Sequence, residues 1–547
     1  SSQNRDVSMG ALTLRQALSV LSKSSPYAVT TEAELQNTEL DVLKKCTYVE
    51  TDVEVYFRNS LVDLKSRGQG ILFLCGSSGD GKSEILTKYK KEYSQYIDFH
   101  LDATHSFSAK SSAIETLDSV FDKSKETGRP LVVGINIGML GNFERDGSDV
   151  HFKLKGKIKE FLDNNQNIKS DIASFISFES FPKFKLDNEN IKADFFSVLL
   201  DRIVRDDRNN AFTKYFNETL NDSSEQRLVE NFTILRDRFV QKEIIHLLLS
   251  ARIKKDQFIT ARMLLDFIFC ILTGPKLLFD NLFDGGDNEL LAVISEFDPS
   301  LSRNNFLDKF VLHHDLELLN CDYKECIEEI RTKYKLSAKF DKCTGRTLIR
   351  MFYLMRKVRL ISGFSAGFNK SFEDKGMMLY RKLWVAHDKF NGDKDKRKEL
   401  KKYYENIIKP AIRLYINRNQ PNLPKTEYFL SAHGENYLST EIDISIDFDA
   451  LKNEIETDIS HFNLHLKIAG ETLKAIPVNV NLLTLMMNIV SGYRPNKHDK
   501  NSVVLLEELA NHIVSLGVSS PILKLYVNNK AVTVKNTQDG DIEVSGL

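Results

Sequence analysis

Apolar and polar positions near residue 70 change abruptly from a strand pattern to a helix pattern. Five consecutive apolar residues, 71–75, are typical of a strand buried on both faces of a parallel sheet. Ile85, Leu86, Tyr89 and Tyr93 fall on one face when the residues after position 82 are read as a helix. The polar, glycine-rich residues between them are typical of a tight loop. The pattern therefore predicts a strand, a loop and a helix in direct succession.

The alternation of strand and helix patterns continues on the C-terminal side of this helix. Residues 96–101 and 131–138 have strand patterns, and residues 109–125 between them have a helical pattern that ends before a glycine and a proline. Residues 171–185 contain a further strand signal. Strands that alternate with helices at this spacing indicate a parallel sheet covered by helices.

The chain before position 70 combines helical and strand-like patterns. Residues 11–45 are polar and helical, with a stripe of leucines on one face. Residues 47–57 alternate between apolar and polar positions, which predicts a strand. Residues 60–66 predict a short helix that leads into the strand at 71–75.

The loop after that strand contains the pattern G-x-x-x-x-G-K-S. Its residues are Gly76, Ser77, Ser78, Gly79, Asp80, Gly81, Lys82 and Ser83, and Glu84 follows. In such a loop, backbone N–H groups surround phosphate oxygens and the helix N-terminus adds a partial positive charge. Lys82 would bridge the β- and γ-phosphates, and the Ser83 hydroxyl would bind Mg²⁺. The alternative is a glycine- and serine-rich turn with an exposed lysine, but the flanking strand and helix favour a site for ATP and Mg²⁺.

Helical patterns dominate the chain from the nucleotide region to about residue 420. Residues 195–251, 258–272 and 276–415 give mainly helix signals, and strand-like alternation returns after residue 421. We therefore predict an α/β P-loop NTPase core, with an AAA/STAND-like parallel sheet and a helical lid, followed by a mainly helical region and a C-terminal α+β unit. The predicted segments are an N-terminal helical segment 1–45, the NTPase domain with its lid 46–275, a helical domain 276–420 and an α+β domain 421–547.

Hydrolysis of a bound nucleotide requires an acid near Mg²⁺ and usually a cation on the transferred phosphate. Asp102 follows the strand pattern at 96–101 and is the candidate Mg²⁺ ligand and water-activating acid; a helix N-cap is the alternative. Asn136 lies near a strand end, where many AAA-like ATPases have a residue that senses the γ-phosphate; a turn-stabilising asparagine is the alternative. Arg262 begins a segment that resembles the lid helix of such ATPases, and a surface cation is the alternative. Together with Lys82, these are the predicted catalytic residues.

One usual element of nucleotide hydrolysis is missing from the sequence. An apolar strand that ends in two adjacent acidic residues normally binds Mg²⁺ and activates water, and no such segment is found. This departure gives a second hypothesis, in which the chain is a STAND-like switch or scaffold that binds ATP and turns it over slowly.

Length, charge and cysteine content restrict the class of protein. A chain of 547 residues is too long for one hydrophobic core. Its 75 lysines and arginines balance 76 acidic residues, and a formal net charge of −1 argues against a broadly basic nucleic-acid-binding protein. No apolar run is long enough for a membrane span, and the polar N-terminus lacks the apolar core of a signal peptide. With six sparse cysteines, we expect reduced thiols and a cytoplasmic protein.

Two clusters in the helical region have alternative interpretations. Residues of the types that bind zinc are His313, His314, Cys321, Cys326 and Cys343, but the absence of a second tight pair favours structural thiols. The second cluster consists of five basic residues with one aromatic residue between them: Arg346, Arg350, Tyr353, Arg356, Lys357 and Arg359. They predict either a helix that faces nucleic acid or, with more support, a cationic helix surface over an apolar core.

Four segments together resemble the DptF family, the DNA-phosphorothioation-dependent restriction proteins of bacteria. The segments are residues 14–18 with 22–29, residues 73–86, residues 101–107 and residues 133–140. The similarity covers the N-terminal half of the chain, and only the nucleotide loop within it is a motif of known chemistry. The resemblance implies an ATPase subunit of a defence complex that acts, with DptG- and DptH-like partners, against DNA lacking phosphorothioate modification. It implies DNA contact through that complex, and it leaves a homo-oligomer open.

Overall fold

Four parallel strands form the first sheet of the chain. The computed structural model describes residues 12–24, 39–76, 81–101, 110–164, 167–187, 190–454 and 458–546. The strands are β1 (Ile71–Gly76), β2 (Asp98–His100), β3 (Leu131–Asn136) and β4 (Ala173–Ser177), in the order β2-β3-β1-β4 across the sheet. Ile71 of β1 is level with Leu131 of β3 and with Ala173 of β4. The strand before the glycine-rich loop therefore has a neighbour on each side.

Helices cover both faces of this sheet. Two helices, α1 (Leu14–Leu18) and α2 (Glu39–Thr47), come first in the chain, and the helices over the sheet are α3 (Asp52–Arg67), α4 (Lys82–Tyr93), α5 (Lys110–Thr127), α6 (Ile137–Asp146) and α7 (Phe152–Asn164). Successive strand side chains point to opposite faces, so Leu72 and Leu74 pack with α3 and α4, whereas Phe73 and Cys75 pack with α5, α6 and α7. Phe73 also stacks on Phe175 of β4, with ring centroids 4.8 Å apart. The predicted parallel sheet covered by helices is confirmed.

The prediction of a strand at residues 47–57 is wrong. The helix α3 begins at Asp52, because the Thr51 side chain accepts a hydrogen bond from the Glu54 N–H at 3.3 Å. Buried apolar residues of α3 are Val53, Phe57, Leu61 and Leu64. They recur every three or four residues, so a capped helix with one buried face replaces the short-range alternation. The short helix predicted at 60–66 is the second half of α3.

The region after the sheet is helical, as predicted. Its helices are α8 (Asp194–Val204), α9 (Thr213–Thr219), α10 (Gln226–Leu235), α11 (Arg238–Lys254), α12 (Ala261–Thr273), α13 (Leu278–Phe283), α14 (Glu289–Ile294), α15 (Asn305–Asp315), α16 (Cys321–Lys333) and α17 (Gly345–Leu354). Short 3₁₀ helices span Ser19–Leu21, Asp149–His151, Phe178–Ser180, Ser223–Glu225, Ser295–Phe297, Pro299–Leu301, Ala338–Lys342 and Phe364–Phe372. The sheet and most of these helices form one compact unit, residues 1–184, 193–251 and 257–372.

A second compact unit contains residues 185–192, 252–256 and 373–547. Its helices are α18 (Lys375–His387), α19 (Lys394–Tyr403), α20 (Lys409–Ile416), α21 (Phe448–Lys452), α22 (Val480–Val490) and α23 (Lys500–Val518), with a π-helical turn at Tyr404–Ile408 and a 3₁₀ turn at Lys497–Asp499. Its strands are β5 (Lys185–Leu186), β6 (Ile191–Lys192), β7 (Glu427–His433), β8 (Asn436–Glu441), β9 (Ile444–Ile446), β10 (Phe462–Leu464), β11 (Leu466–Ile468), β12 (Glu471–Thr472), β13 (Ile476–Val478), β14 (Ile522–Val527), β15 (Lys530–Asn536) and β16 (Ile542–Ser545).

The strands of the second unit pair in an antiparallel manner. The largest sheet has the order β16-β15-β14-β8-β7, a smaller one has the order β12-β11-β9, and two further pairs are β10-β13 and β5-β6. The mixture of strand and helix predicted for the C-terminal part is therefore confirmed. Among the described residues, none of the helices combines the length and the apolar composition that crossing a membrane requires.

Candidate nucleotide site

The carboxyl end of β1 and the start of α4 hold the described part of the glycine-rich loop. Gly76 is the last residue of β1, and Gly81 is the N-cap of α4 with φ of 94°. That backbone conformation favours glycine, because a side chain there is strained even though a Cβ would meet open space. Residues 77–80 of the loop lie outside the described residues. Gly81, which precedes the lysine of the pattern, thus has a conformational reason to be glycine.

The first turn of α4 presents the groups that a phosphate needs. Gly81 has no side chain that could accept hydrogen bonds from the first-turn N–H groups, and these N–H groups attract anions at helix N-termini. Lys82 begins the helix and is 9% exposed, and Ser83 beside it is exposed. The buried Lys82 and the exposed Ser83 are thus adjacent at the start of the helix that follows β1.

Asn136 ends β3 beside the loop. Gly76 and Asn136 are register partners at the carboxyl ends of β1 and β3. The Asn136 side-chain oxygen accepts a hydrogen bond from the Met139 N–H at 2.6 Å and so caps α6. This oxygen therefore has the local, backbone-stabilising role that was the alternative to contact with the γ-phosphate. The side-chain amide NH₂ is the part of Asn136 that can donate to a phosphate.

Close packing brings β3 and α4 together at this edge. A Cβ placed on Gly134 of β3 would lie 2.2 Å from Cδ1 of Leu86 and 2.8 Å from the carbonyl oxygen of Leu101. Glycine at position 134 therefore lets α4 and the end of β2 approach β3. Leu101 directly precedes Asp102, and Asp102 lies outside the described residues. Because β2 is parallel to β3, its carboxyl end reaches the same edge of the sheet as Gly76 and Asn136.

The lid arginine predicted from the sequence reaches the helix that follows the loop. Thr260 caps α12 by accepting a hydrogen bond from the Met263 N–H at 3.1 Å, which places Arg262 in the first turn. The Arg262 guanidinium donates to a carboxylate oxygen of Glu84 at 2.5 Å. Glu84 directly follows Ser83 in the first turn of α4. The structure thus brings Arg262 and the loop residue Glu84 together across 178 positions of sequence.

A buried carboxylate behind α4 was not predicted from the sequence. Glu54 of α3 is 1% exposed and accepts hydrogen bonds from Lys88 at 2.9 Å, from Tyr89 at 3.0 Å and from the Tyr48 hydroxyl. Burial and the nearby Glu54 carboxylate raise the pKa of Tyr89 to about 12. A glutamate between Val53 and Phe57 was the available signal, because an acid on an apolar helix face needs partners. The network joins α4 to α3.

The basic helix predicted at 346–359 does not face nucleic acid through its central arginines. Arg350 is buried and donates to Asp298 at 2.6 Å, Asp280 at 2.7 Å and Asp284 at 2.8 Å. These carboxylates occupy the guanidinium that a phosphate contact would need. The nucleic-acid interpretation is therefore wrong at this position, and so is the placement of Arg350 on a cationic surface.

Arg356 is also paired with a carboxylate inside the protein. Its guanidinium donates to Glu243 at 2.6 Å and lies over the ring of Tyr353, 4.4 Å from the centroid.

Among the residues that the structure describes, no three His, Cys, Asp or Glu side chains form a group suited to a metal ion, the zinc-type residues at 313–343 included.

The structure thus places one end of the glycine-rich loop, a strand-end asparagine and the first-turn arginine of α12 near the carboxyl edge of the parallel sheet. Lys82, Asn136 and Arg262 lie on three different elements of this edge. Comparisons of the chain with protein families, with curated proteins and with solved structures find no match.

Proposed function

We propose that this chain binds ATP with Mg²⁺ at the carboxyl edge of the parallel sheet. The observation that carries the proposal is the start of α4, where Gly81 with φ of 94°, the buried Lys82 and the exposed Ser83 follow the central strand β1. Lys82 would contact the β- and γ-phosphates, and the Ser83 hydroxyl would hold Mg²⁺. The metal would neutralise charge on the phosphate oxygens. Glycine at the N-cap leaves the first-turn N–H groups directed at the same anion.

The order of the strands supports this location. From β1 the chain continues to β2 on one side of the sheet, and it later reaches β4 on the other side. Open α/β sheets bind ligands outside the carboxyl ends of the strands where the strand order reverses in this way. The strand with Asn136 lies between β1 and β2, so Asn136 would stand between the phosphate loop and Asp102. This arrangement supports an AAA/STAND-like P-loop NTPase core.

We propose hydrolysis by the groups that surround this position. Asp102 would orient the attacking water or Mg²⁺ from the end of β2, and the Asn136 amide would contact the γ-phosphate. Arg262 would supply the cation that stabilises charge on the transferred phosphate. Lys82, Asp102, Asn136 and Arg262 together would provide the positioning and the electrostatic stabilisation on which phosphoryl transfer depends.

The biological role proposed here is that of an ATP-hydrolysing subunit in a bacterial defence complex. The resemblance to the DptF family supports this role, with DptG- and DptH-like proteins as partners and unmodified DNA as the target. The formal net charge of −1 and the internal pairing of Arg350 and Arg356 favour DNA contact through the partners rather than through this chain.

A slow-turnover switch is the second candidate function. The specific observation that favours it is the Arg262–Glu84 ion pair, which holds the candidate phosphate-contacting cation on a carboxylate. In this function, ATP binding would release Arg262 from Glu84 as a change of state, without rapid hydrolysis of the nucleotide.

Substitution of the loop lysine tests nucleotide binding. We expect Lys82→Ala to abolish Mg·ATP binding measured by calorimetry, because the ammonium contacts two phosphates. Lys91→Ala is the matched control, since Lys91 is an exposed lysine in the last turn of the same helix and should leave the affinity unchanged. Equal affinities of the two variants would reject the site.

Turnover separates the two candidate functions once binding is established. ATP hydrolysis by the full chain, measured with and without DNA and with the partner proteins, should rise on adding DNA if the chain is the energy-supplying subunit. A rate that stays low in every mixture supports the switch.

A further inference from the structure

Glu84 occupies a position where it competes with phosphate. It lies in the first turn of α4, immediately after Ser83, and its carboxylate is 59% exposed. A glutamate in a first helical turn is favourable, because the N-terminus of the helix has a partial positive charge. A triphosphate at the same N-terminus would present its γ-phosphate as a second acceptor for the cation that pairs with Glu84.

Arg262, the partner of Glu84, lies in the first turn of α12, at the end of its helix that disfavours a cation because of the helix dipole. Its guanidinium instead donates across to Glu84 at 2.5 Å. Two anions, the carboxylate and an incoming γ-phosphate, would therefore compete for a single guanidinium.

We propose that Glu84 is a positioning residue that retains Arg262 on α4 until the γ-phosphate of ATP takes its place. The proposal rests on the nucleotide site described under Proposed function. ADP has no γ-phosphate, so with ADP bound Arg262 remains on Glu84. The ion pair thereby sets how strongly the chain distinguishes ATP from ADP.

The exposure of the pair sets the expected size of the effect. The side chains of Arg262 and Glu84 are 46% and 59% exposed, so solvent screens their attraction. Exposed ion pairs of this kind change an equilibrium by about 1.4- to 5-fold. Breaking the ion pair to release Arg262 should therefore weaken ATP binding by about that factor. This cost is small enough for ATP to displace Glu84 from Arg262 readily.

The test is a double-mutant cycle with two nucleotides. Dissociation constants of Mg·ATP and Mg·ADP are measured for the wild-type chain, Glu84→Gln, Arg262→Gln and the double variant. Glu84→Gln should tighten ATP binding by about 1.4- to 5-fold and leave ADP binding unchanged, because only ATP needs the arginine. In the Arg262→Gln background, the same change at position 84 should have no effect on ATP. Glu92→Gln, an exposed carboxylate in the last turn of α4, is the matched control.

Three results would overturn the proposal. Equal ATP affinities of wild type and Glu84→Gln would show that the ion pair does not oppose nucleotide. Tightening that persists in the Arg262→Gln background, or that is equal for ATP and ADP, would show that Glu84 acts by direct repulsion of phosphate. A wild-type chain that binds neither nucleotide would reject the nucleotide site itself, and that result is distinct from a chain that binds ATP without coupling.

Discussion

Gly134 offers a direct test of how the sheet positions the candidate site. In Gly134→Ala, the new methyl group would lie 2.2 Å from Cδ1 of Leu86 and 2.8 Å from the Leu101 carbonyl oxygen. Carbon atoms normally approach to about 3.5–4.0 Å, so both neighbours must move. Leu86 can change its side-chain torsion, but the Leu101 oxygen belongs to the backbone at the end of β2. The substitution must therefore displace the end of β2, which leads to Asp102, relative to β3, and it also displaces α4 unless Leu86 changes its side-chain torsion.

The magnitude follows from two opposing terms. Overpacking of a well-packed core costs about 1–3 kcal/mol. Replacing glycine by alanine reduces the entropy of the unfolded chain, which offsets about 0.4–1 kcal/mol of that cost. We therefore expect Gly134→Ala to lose about 1–2 kcal/mol of unfolding free energy and to bind Mg·ATP more weakly, because the groups proposed to bind the nucleotide are displaced.

Gly156→Ala is the matched control for this prediction. Gly156 is an exposed residue inside α7, and a Cβ there would meet nothing within 4 Å. Alanine at that site should raise stability by about 0.5–1 kcal/mol and leave ATP affinity unchanged. Urea unfolding followed by circular dichroism, and calorimetry with Mg·ATP, measure the two quantities. If Gly134→Ala matches the wild type in both, the close approach of β3, α4 and β2 does not position the site.

Two further predictions concern buried charge and titration. Arg350→Met removes the cation shared by Asp280, Asp284 and Asp298 and should cost about 3–5 kcal/mol in urea unfolding at neutral pH. Burial alone would raise the pKa of Asp298, but hydrogen bonds from Arg350 and Ser300 lower it below 3.8. The stabilisation by the Asp298 carboxylate is therefore lost as the pH falls below about 4, and the difference in unfolding free energy between wild type and Arg350→Met should narrow. A difference that stays constant with pH would contradict the assignment. Burial lowers the pKa of His387 from 6.5 to about 4, so its neutral form stabilises the fold above pH 6.5, and the stability should fall by about 3 kcal/mol between pH 6.5 and pH 4. His387→Gln should flatten this part of the stability profile, and an unchanged slope would show that another group is responsible.

The sequence predicts the elements whose signals are local. The strand β1 and the helix α4 follow from residues 71–93 alone, because the apolar run, the glycines and the helical face are adjacent in sequence. The wrong strand at 47–57 shows the limit of a short window. Alternation over eleven positions was outweighed by a cap at Thr51 and by an apolar face that continues to Leu64. A longer window that included the cap would have favoured the helix.

Charge pairing over long separations could not be predicted from the sequence. The carboxylates that bind Arg350 are 52 to 70 positions away, so its helix had the composition of a nucleic-acid-binding surface while its central guanidinium was buried. Burial decides between these alternatives, because a desolvated guanidinium must be paired whereas an exposed one is available to phosphate. Composition and spacing carry no information on burial at a helix whose partners are distant.

The candidate site also combines residues that are adjacent in sequence with a pair that is distant in sequence. The glycine-rich pattern predicts a ligand from adjacent residues, because loops with this pattern place eight consecutive residues around one anion. The role of Arg262 depends instead on Glu84, which is 178 positions away in sequence. An exposed arginine in the first turn of a helix lies in an unfavourable field, so its orientation responds to whichever anion is nearest. In this structure that anion is the Glu84 carboxylate, next to Ser83, the residue proposed to hold Mg²⁺. A change in occupancy of the phosphate site would therefore change the attachment of α12, which is how binding energy at one helix N-terminus could be converted into movement of another element.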